Sequence, residues 1–282
     1  GGSGGAVLLR LGTSAVCVKK CSPADLFAQR LLDLLSVRTA RMHVLGADEA
    51  VAFRQAARLV APEEGHDDWI QARRVMRSHH LCVMEFVDGF SMMGLPAHEH
   101  LRKLKEASGS QDASELWRQL GRIMAADMLT NNFDRLPLAW SNEGNLGNAM
   151  LGSTLGCVVG IDQSTAPITH PEGLRRYVER VRKVLAEALG GPGKAFGLVG
   201  EAVLNNTAVE LSAEDLDAMR AGCLSLARDV VRLLADGTLE GQLDLLRGEL
   251  EGAFPESGDP TAPSPTGSER TVAEEASAYR GL

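Results

Sequence analysis

The chain has 282 residues, of which 44% are hydrophobic, enough to bury one large core or two smaller ones. Its 29 basic and 37 acidic residues give a formal net charge of −8, which excludes the basic surface of a nucleic-acid binder and that of a polybasic membrane-surface protein. No apolar run reaches the roughly 18 residues of a membrane helix, and the five cysteines lack a paired Cys-x-x-Cys spacing, so we expect a cytoplasmic protein with reduced thiols and no membrane insertion.

The first pattern along the chain is a β-hairpin. Residues 6–20 (AVLLRLGTSAVCVKK) hold two short aliphatic and β-branched runs, joined by the turn sequence Gly-Thr-Ser. In the second run, Ala15 and Cys17 share a face with Lys19 because side chains alternate along a strand. These small side chains would leave room for a flat base beside Lys19.

Helical patterns follow this hairpin. An apolar stripe predicts an amphipathic helix over 24–35, with Pro23 at a first-turn position. A second helix is predicted over 49–60. Residues 81–92 (LCVMEFVDGFSM) then predict a continuous apolar strand that turns at its Asp-Gly pair.

Long helices dominate the second half of the chain. Residues 113–132 carry an apolar stripe and are expected to form the central helix of a mostly α-helical lobe. Asp127 lies inside this helix, and we expect it to hydrogen-bond the following loop. Residues 253–282 are rich in Pro, Ser, Thr, Gly and Glu, which predicts a disordered tail. Further helices are predicted over 172–190, over 213–235 after a Ser212-x-x-Asp215 capping box, and over 238–250.

A smaller hairpin is predicted after the central helix. Residues 148–151 form a short apolar run, a turn follows, and a second apolar run over 157–161 ends at Asp162. Antiparallel pairing brings Asn148 and Asp162 to the same end of the hairpin, and Asp134 leads into the same place. Carboxylate and amide oxygens are what a hard Mg²⁺ ion requires, with substrate phosphates completing its octahedron. Phosphoryl transfer also needs a carboxylate that orients the attacking hydroxyl.

The N-terminal residues offer groups that complement these oxygens. The glycine-rich sequence GGSGG at 1–5 precedes the first hairpin, and such turns let backbone N–H groups approach phosphates closely. Lys19 would then neutralise phosphate oxygens. Structural alternatives remain open: a flexible linker at 1–5, a solvated strand lysine at 19, and ordinary turn or cap roles for Asp134 and Asp162.

Six motifs together resemble the catalytic domain of the actin-fragmin kinase family, a divergent branch of the protein-kinase-like fold related to phosphatidylinositol kinases. In chain order they are the Gly-rich turn, VCVKK, MEFVDG, NNFDRLP, GNLGNAML and GCVVGIDQ. The resemblance covers roughly residues 1–235. It implies an α+β, two-lobed fold, with a small β-rich N-lobe over 1–90 and a mostly α-helical C-lobe over 91–252, followed by the tail that composition predicts over 253–282. ATP and Mg²⁺ would lie between the lobes.

The resemblance also implies roles for the polar residues singled out above. Asp134 looks like the catalytic aspartate, and Asn148 and Asp162 look like the two Mg²⁺ ligands. Lys19 looks like the strand lysine that acts on the ATP phosphates. Asp25 falls where a helix acid usually pairs with that lysine, and it is equally explained as a first-turn acid favoured by the helix dipole.

The remaining nucleotide contacts implied by the resemblance involve the backbone. Gly4 and Gly5 belong to the turn that would cover the phosphates. Met84, Glu85 and Phe86 look like the hinge that meets adenine through main-chain groups.

The activity implied by this family is ATP- and Mg²⁺-dependent transfer of phosphate to a protein Ser or Thr. Actin or an actin-associated complex is the implied protein substrate, and no nucleic-acid partner is expected. Two alternatives remain: a pseudokinase that serves as a nucleotide-binding or scaffolding module, and a lipid or small-molecule kinase. Asp25 in place of a longer Glu favours the pseudokinase, and the lack of a basic membrane-facing cluster counts against a lipid substrate.

Overall fold

The computed structural model describes residues 6–11, 14–60, 67–107, 111–139, 142–154 and 156–254. Gly4 and Gly5, predicted to act on phosphates, lie outside the described residues, as does the predicted tail after residue 254. The chain divides into two units. The first unit comprises the described parts of Gly1–Phe27, Ala40–Phe86 and Leu245–Leu282, and the second those of Ala28–Thr39 and Val87–Asp244. The lobe bounds given above stay a prediction.

An antiparallel sheet of four strands organises the first unit, in the order β1-β2-β4-β3. Val18, Val75 and Leu81 are buried at the centre of its apolar cluster. The predicted hairpin is confirmed by β1 and β2, whereas β3 has no counterpart among the predictions because three residues are too few to show an alternation. The strands are β1 (Ala6–Leu11), β2 (Ser14–Lys20), β3 (Met42–Val44) and β4 (Leu81–Glu85).

The apolar strand predicted to run into the turn at Asp88-Gly89 is present as β4, but it is shorter than expected. β4 ends at Glu85, and the chain then enters β5 (Gly89–Ser91), which belongs to a second antiparallel sheet in the second unit. A Cβ atom on Gly89 would lie 2.0 Å from the carbonyl oxygen of Leu151, so only glycine permits this close strand approach.

The second sheet contains the predicted hairpin near the candidate site. Its order is β5-β6-β7, where β6 is Ala149–Gly152 and β7 is Val158–Gly160. Ala149 pairs with Gly160 and Leu151 with Val158, which confirms the predicted hairpin.

Helices make up most of the remaining described residues. Two small antiparallel sheets and a mostly helical remainder confirm the predicted α+β class. No helix in the described part of the chain is long and apolar enough to cross a membrane. The helices are α1 (Pro23–Leu34), α2 (Ala47–Val60), α3 (Asp67–Met76), α4 (Gly94–Ala107), α5 (Gln111–Thr130), α6 (Pro171–Gly190), α7 (Gly193–Thr207), α8 (Ala213–Ala235) and α9 (Thr238–Ala253).

Close contact between α5 and α8 forms the core of the second unit. A Cβ atom on Gly121 of α5 would lie 1.8 Å from the carbonyl oxygen of Met219, and one on Gly222 of α8 would lie 1.9 Å from that of Arg118. The two glycines therefore let the helix backbones touch. This contact fixes α5, whose C-terminal end leads into the candidate site. The apolar face of α5 buries Leu116, Trp117, Leu120, Ile123 and Met124.

Candidate active site

Asp134 lies in the loop that follows α5. The helix ends at Thr130, Asn131 takes a left-handed conformation with φ 52°, and the Asn132 N–H donates to the carbonyl oxygen of Asp127 at 2.9 Å. This is a Schellman-type helix end, in which Asn tolerates positive φ. The Asp134 N–H then donates to Asn132 Oδ1 at 3.4 Å. The loop turns back on itself and leaves the Asp134 side chain exposed.

Asn148 contacts Asp134 directly. Its Nδ2 donates to Asp134 Oδ2 at 2.7 Å. Asn148 ends a short 3-10 turn, Leu146–Asn148, which begins where the side chain of Asn145 accepts from the Gly147 N–H. Because the donor end of the Asn148 amide faces Asp134, the amide oxygen Oδ1 is the atom that a cation would take.

Asp162 follows the second strand of the β6–β7 hairpin. The Ile161 N–H donates to the carbonyl oxygen of Asn148 at 3.0 Å, one position beyond the pairing of Ala149 with Gly160. Asn148 and Asp162 therefore lie at the same end of the hairpin. The Asp162 side chain is exposed, and its φ is 55°. Left-handed backbone in a residue other than glycine costs about 1–3 kcal/mol and is frequent at functional sites.

The chemistry of this hairpin end suits Mg²⁺. It offers the Asp162 carboxylate and the Asn148 amide oxygen, and the Asp134 carboxylate contacts the same amide. Within the ranges that the structure describes, no three His, Cys, Asp or Glu side chains come together to hold a metal. Mg²⁺ usually keeps several waters and takes one or two carboxylates together with substrate phosphates. Two protein ligands therefore fit a metal that arrives with a nucleotide.

Arg135 lies fully buried under this loop. Its Nη1 donates to Asp127 Oδ1 at 2.7 Å, so the expected hydrogen bond from Asp127 to the following loop is confirmed. Its Nε donates to the carbonyl oxygen of Asn148 at 3.1 Å. Its Nη2 donates to the carbonyl oxygen of Ile161 at 3.0 Å and also to the side chain of Gln163. One guanidinium thus joins α5 to the backbone beside both predicted Mg²⁺ ligands.

Burial governs the ionisation of the groups below the loop. Burial raises the pKa of Asp127 to about 7, and the Arg135 charge opposes that rise. Burial also raises the pKa of Tyr177, and the Asp127 charge adds to this rise. The Tyr177 hydroxyl donates to the carbonyl oxygen of Met128. These groups form a polar layer between the end of α5 and α6.

Lys19 and Asp25 meet in the first unit. Lys19 lies on β2 opposite Cys82 of β4, and its Nζ is 3.9 Å from Asp25 Oδ1. The Asp25 carboxylate also caps α1, since its Oδ2 accepts from the Ser22 N–H at 2.9 Å and the Asp25 N–H donates to Ser22 Oγ at 3.3 Å. The structure therefore shows Asp25 in both of its predicted settings, as a lysine partner and as a first-turn acid.

The predicted hinge residues lie at the end of β4. Met84 is buried within this central strand, which pairs with both β2 and β3. The Glu85 N–H donates to the carbonyl oxygen of Arg41 at 2.8 Å, so this donor is not available to an adenine base in this conformation. Phe86 lies beyond the strand and is 44% exposed. Adenine recognition by this segment stays a prediction.

Comparison with protein families identifies the chain. A family described as "Actin-fragmin kinase, catalytic" matches residues 1–164, more than half of the 282 residues. The chain belongs to the actin-fragmin kinase catalytic family. No curated protein sequence gives a significant match to it. The family resemblance is confirmed, and the match ends before residue 235, to which the resemblance was expected to extend.

Membership of the actin-fragmin kinase family fixes the fold and the broad chemistry. The fold is two-lobed and protein-kinase-like, with a small β-rich N-lobe and a mostly α-helical C-lobe. The family is one of kinase-like phosphotransferases. Lys19, Asp134, Asn148 and Asp162 all lie inside the matched residues.

Two residues at this actin-fragmin kinase site are missing from the site predicted by sequence. Arg135 carried a signal in the sequence, because it directly follows the loop acid Asp134 and the preceding helical pattern contains the acid Asp127 among apolar residues. Gln163 stands where the Asp-Phe-Gly motif of ordinary protein kinases has Phe, and only the structure shows that it accepts from Arg135. Neither contact follows from sequence spacing alone.

Proposed function

We propose that this member of the actin-fragmin kinase family transfers the γ-phosphate of ATP, with Mg²⁺, to the hydroxyl of a protein Ser or Thr. The observation that carries the proposal is the 2.7 Å hydrogen bond between Asn148 Nδ2 and Asp134 Oδ2, with Asp162 at the same end of the hairpin. An acid that orients the acceptor hydroxyl must lie beside the metal ligands, because hydroxyl and phosphate react at contact distance.

Each polar group then has one task. The exposed Asp134 carboxylate orients the acceptor hydroxyl and receives its proton. Asn148 Oδ1 and the Asp162 carboxylate would hold Mg²⁺, which neutralises charge on the phosphate oxygens when bound. Lys19 Nζ would neutralise further phosphate oxygens, and Asp25, 3.9 Å away, would orient that ammonium group.

The acceptor is proposed from the family description, which names actin and fragmin. Actin or an actin-associated complex is therefore the protein substrate to test first. A cytoplasmic location belongs to the same proposal. It is supported by the five cysteines, all of which are described and free.

The test is incubation of the purified chain with γ-labelled ATP and Mg²⁺ in three arms: actin, actin in complex with fragmin, and a cell extract. Asp134→Asn is assayed beside the parent, with Asp217→Asn as control because Asp217 is an exposed acid whose contact is Arg220. We expect label on protein Ser or Thr from the parent and the control, and none from Asp134→Asn. Label confined to lipids or small metabolites would identify the alternative kinase class.

A pseudokinase is the second candidate, and one observation favours it. The Lys19–Asp25 pair is separated by 3.9 Å, and the other Asp25 oxygen is engaged with Ser22. A carboxylate at this distance orients the lysine less firmly than one in direct hydrogen-bond contact. Binding of Mg²⁺-ATP without phosphate transfer in any arm would overturn the kinase proposal and establish the chain as a pseudokinase.

A further inference from the structure

Arg135 makes an unusual set of contacts for a buried side chain. It is fully buried and donates four hydrogen bonds. We propose that Arg135 is the positioning residue of this site, holding Asn148 and Asp162 at the spacing that Mg²⁺ requires. The inference rests on the proposed function, because it concerns the same residues. The four acceptors are Asp127 Oδ1, Gln163 Oε1 and the carbonyl oxygens of Asn148 and Ile161.

The first step concerns the backbone that carries the two predicted ligands. The Asn148 carbonyl oxygen accepts from Arg135 Nε at 3.1 Å and from the Ile161 N–H at 3.0 Å. The Ile161 carbonyl oxygen, in the peptide that leads into Asp162, accepts from Arg135 Nη2 at 3.0 Å. The guanidinium therefore touches the main chain of Asn148 and the peptide bonded to Asp162. Any displacement of this rigid group would change the distance between the two ligand side chains.

The second step concerns what holds Arg135 itself. Its Nη1 bonds to Asp127, which belongs to α5 and is 2% exposed. The backbone of α5 is fixed by its contact with α8 at Gly121. The core of the unit, rather than the loop, therefore fixes the position of the guanidinium.

The third step concerns the residues packed against the guanidinium. Gln163 is 5% exposed and accepts from Arg135 directly after Asp162, where ordinary protein kinases have Phe. A Cβ atom on Gly160 would lie 3.2 Å from Gln163 Nε2 and 3.5 Å from Arg135 Cζ, so glycine leaves the space that both side chains occupy. A polar contact therefore anchors the Asp162 loop where an apolar one is usual.

The shape of arginine matters for this role. A guanidinium is a planar fork with five donors, whereas a lysine ammonium is a point charge on a flexible stem. Arg135→Lys keeps the charge opposite Asp127 but cannot reach four acceptors in fixed directions. This variant separates positioning from simple charge neutralisation.

The experiment compares Arg135→Lys and Arg135→Gln with the control Arg122→Gln in the full chain. Arg122 is also partly buried and bridges elements of the same unit: it donates to Asp229 at 3.0 Å and to the carbonyl oxygen of Leu35 at 2.7 Å. ATP affinity is measured by calorimetry with and without Mg²⁺, below the melting temperature of each variant. We expect the Mg²⁺-dependent part of the affinity to fall about 10–100-fold in both Arg135 variants, with Mg²⁺-free affinity unchanged. In the control variant only the melting temperature should fall, and both ATP affinities should match those of the parent.

The other outcomes test the positioning role and the proposed function separately. Parent-like Mg²⁺-dependent affinity in Arg135→Lys would show that charge alone suffices, and the positioning role would be wrong. If Arg135→Gln does not fold, Asp127→Asn/Arg135→Gln removes the unpaired buried charge and is measured instead. Weak Mg²⁺ dependence in that double variant supports positioning, and full recovery overturns it. If the parent binds ATP without any Mg²⁺ dependence, the proposed function fails, and the inference fails with it.

Discussion

At the scale of single residues, the Asp134–Asn148 contact joins two tasks that can be separated experimentally. Asp134 is proposed to act on the acceptor hydroxyl, whereas Asn148 is proposed to act on the metal. Their side chains are 2.7 Å apart, so either change perturbs the same spot. Only the quantity that changes, nucleotide affinity or transfer rate, distinguishes the tasks.

Asp134→Asn should leave ATP affinity nearly unchanged and lower the transfer rate by about 10²–10⁴-fold, because an amide keeps the shape but is a very poor proton acceptor. Asn148→Ala should instead weaken Mg²⁺-dependent ATP binding and lower transfer through that loss. Calorimetric affinities and single-turnover rates for both variants make the comparison. Transfer at the parent rate by Asp134→Asn would show that Asp134 is not the catalytic acid.

A second experiment distinguishes a catalytic from a structural role of Lys19, with the neighbouring Lys20 as a matched control. Lys19→Met should keep the fold and lower transfer by about 10²-fold, because loss of a charge that stabilises the transferring phosphate is costly. Lys20→Met changes an exposed lysine on the other face of β2 and should transfer normally. Unfolding of Lys19→Met in circular dichroism would mark a structural lysine.

The two predicted Mg²⁺ ligands show what sequence can predict at this scale. Asn148 and Asp162 lie at the same end because the two short apolar runs pair as an antiparallel hairpin, with Ala149 opposite Gly160. The Arg135–Asp127 pair was not predicted, since it joins residues across a helix end whose direction depends on the left-handed Asn131. Local sequence patterns can predict which strands pair, whereas the path of a loop depends on single backbone angles that the sequence does not show.

At the scale of elements, the α5–α8 contact depends on missing side chains. Gly121→Ala should lower stability by about 1–3 kcal/mol or more, because its Cβ would lie 1.8 Å from the Met219 carbonyl oxygen and the helices would have to separate. Gly197→Ala in α7 is the control, since no atom of the described residues lies within 4 Å of its Cβ position apart from the adjacent residues and the backbone of its own helix. That change should raise stability by about 0.5–1 kcal/mol. Denaturant midpoints measure both, and equal effects would contradict the packing account.

α7 has no counterpart among the predicted helices, and its composition explains why. α7 contains Gly193, Gly197 and Gly200, which lower helix propensity, and it forms because residues such as Phe196 and Val199 are fully buried. By contrast, α8 was predicted from a capping box at Ser212, and both of its hydrogen bonds are present. Elements with strong local signals are predictable, and those formed by tertiary burial are not.

At the scale of the whole molecule, the proposed ATP contacts are divided between two units. Lys19 belongs to the first unit, and Asp134, Asn148 and Asp162 belong to the second. The family match covers residues 1–164, so it includes these four residues but not α6, α7, α8 or α9. Fold class was predictable from motif order because the six motifs all lie inside the matched part. The helices predicted beyond residue 164 rest on periodicity and on the capping box at Ser212.

Ligand-induced stabilisation tests the site in the intact chain. A ligand present at 100 times its Kd stabilises the folded state by about 2.7 kcal/mol. For a protein of this size, that should raise the melting temperature by roughly 5–10 °C. We expect Mg²⁺-ATP to produce this shift and Asp162→Ala to remove most of it, while Asp217→Ala keeps it.

The quantity to compare is the shift and not the melting temperature itself. Asp162 has a φ of 55°, and alanine tolerates this conformation less well than aspartate, so the variant should melt lower even without ligand. A change in backbone strain lowers the melting temperatures of the free and the ligand-bound protein equally, so the shift between them is unchanged. Loss of a metal ligand instead reduces the shift. An undiminished shift in Asp162→Ala would therefore show that Asp162 is not a metal ligand. Asn148 would then have to bind the cation together with groups other than Asp162.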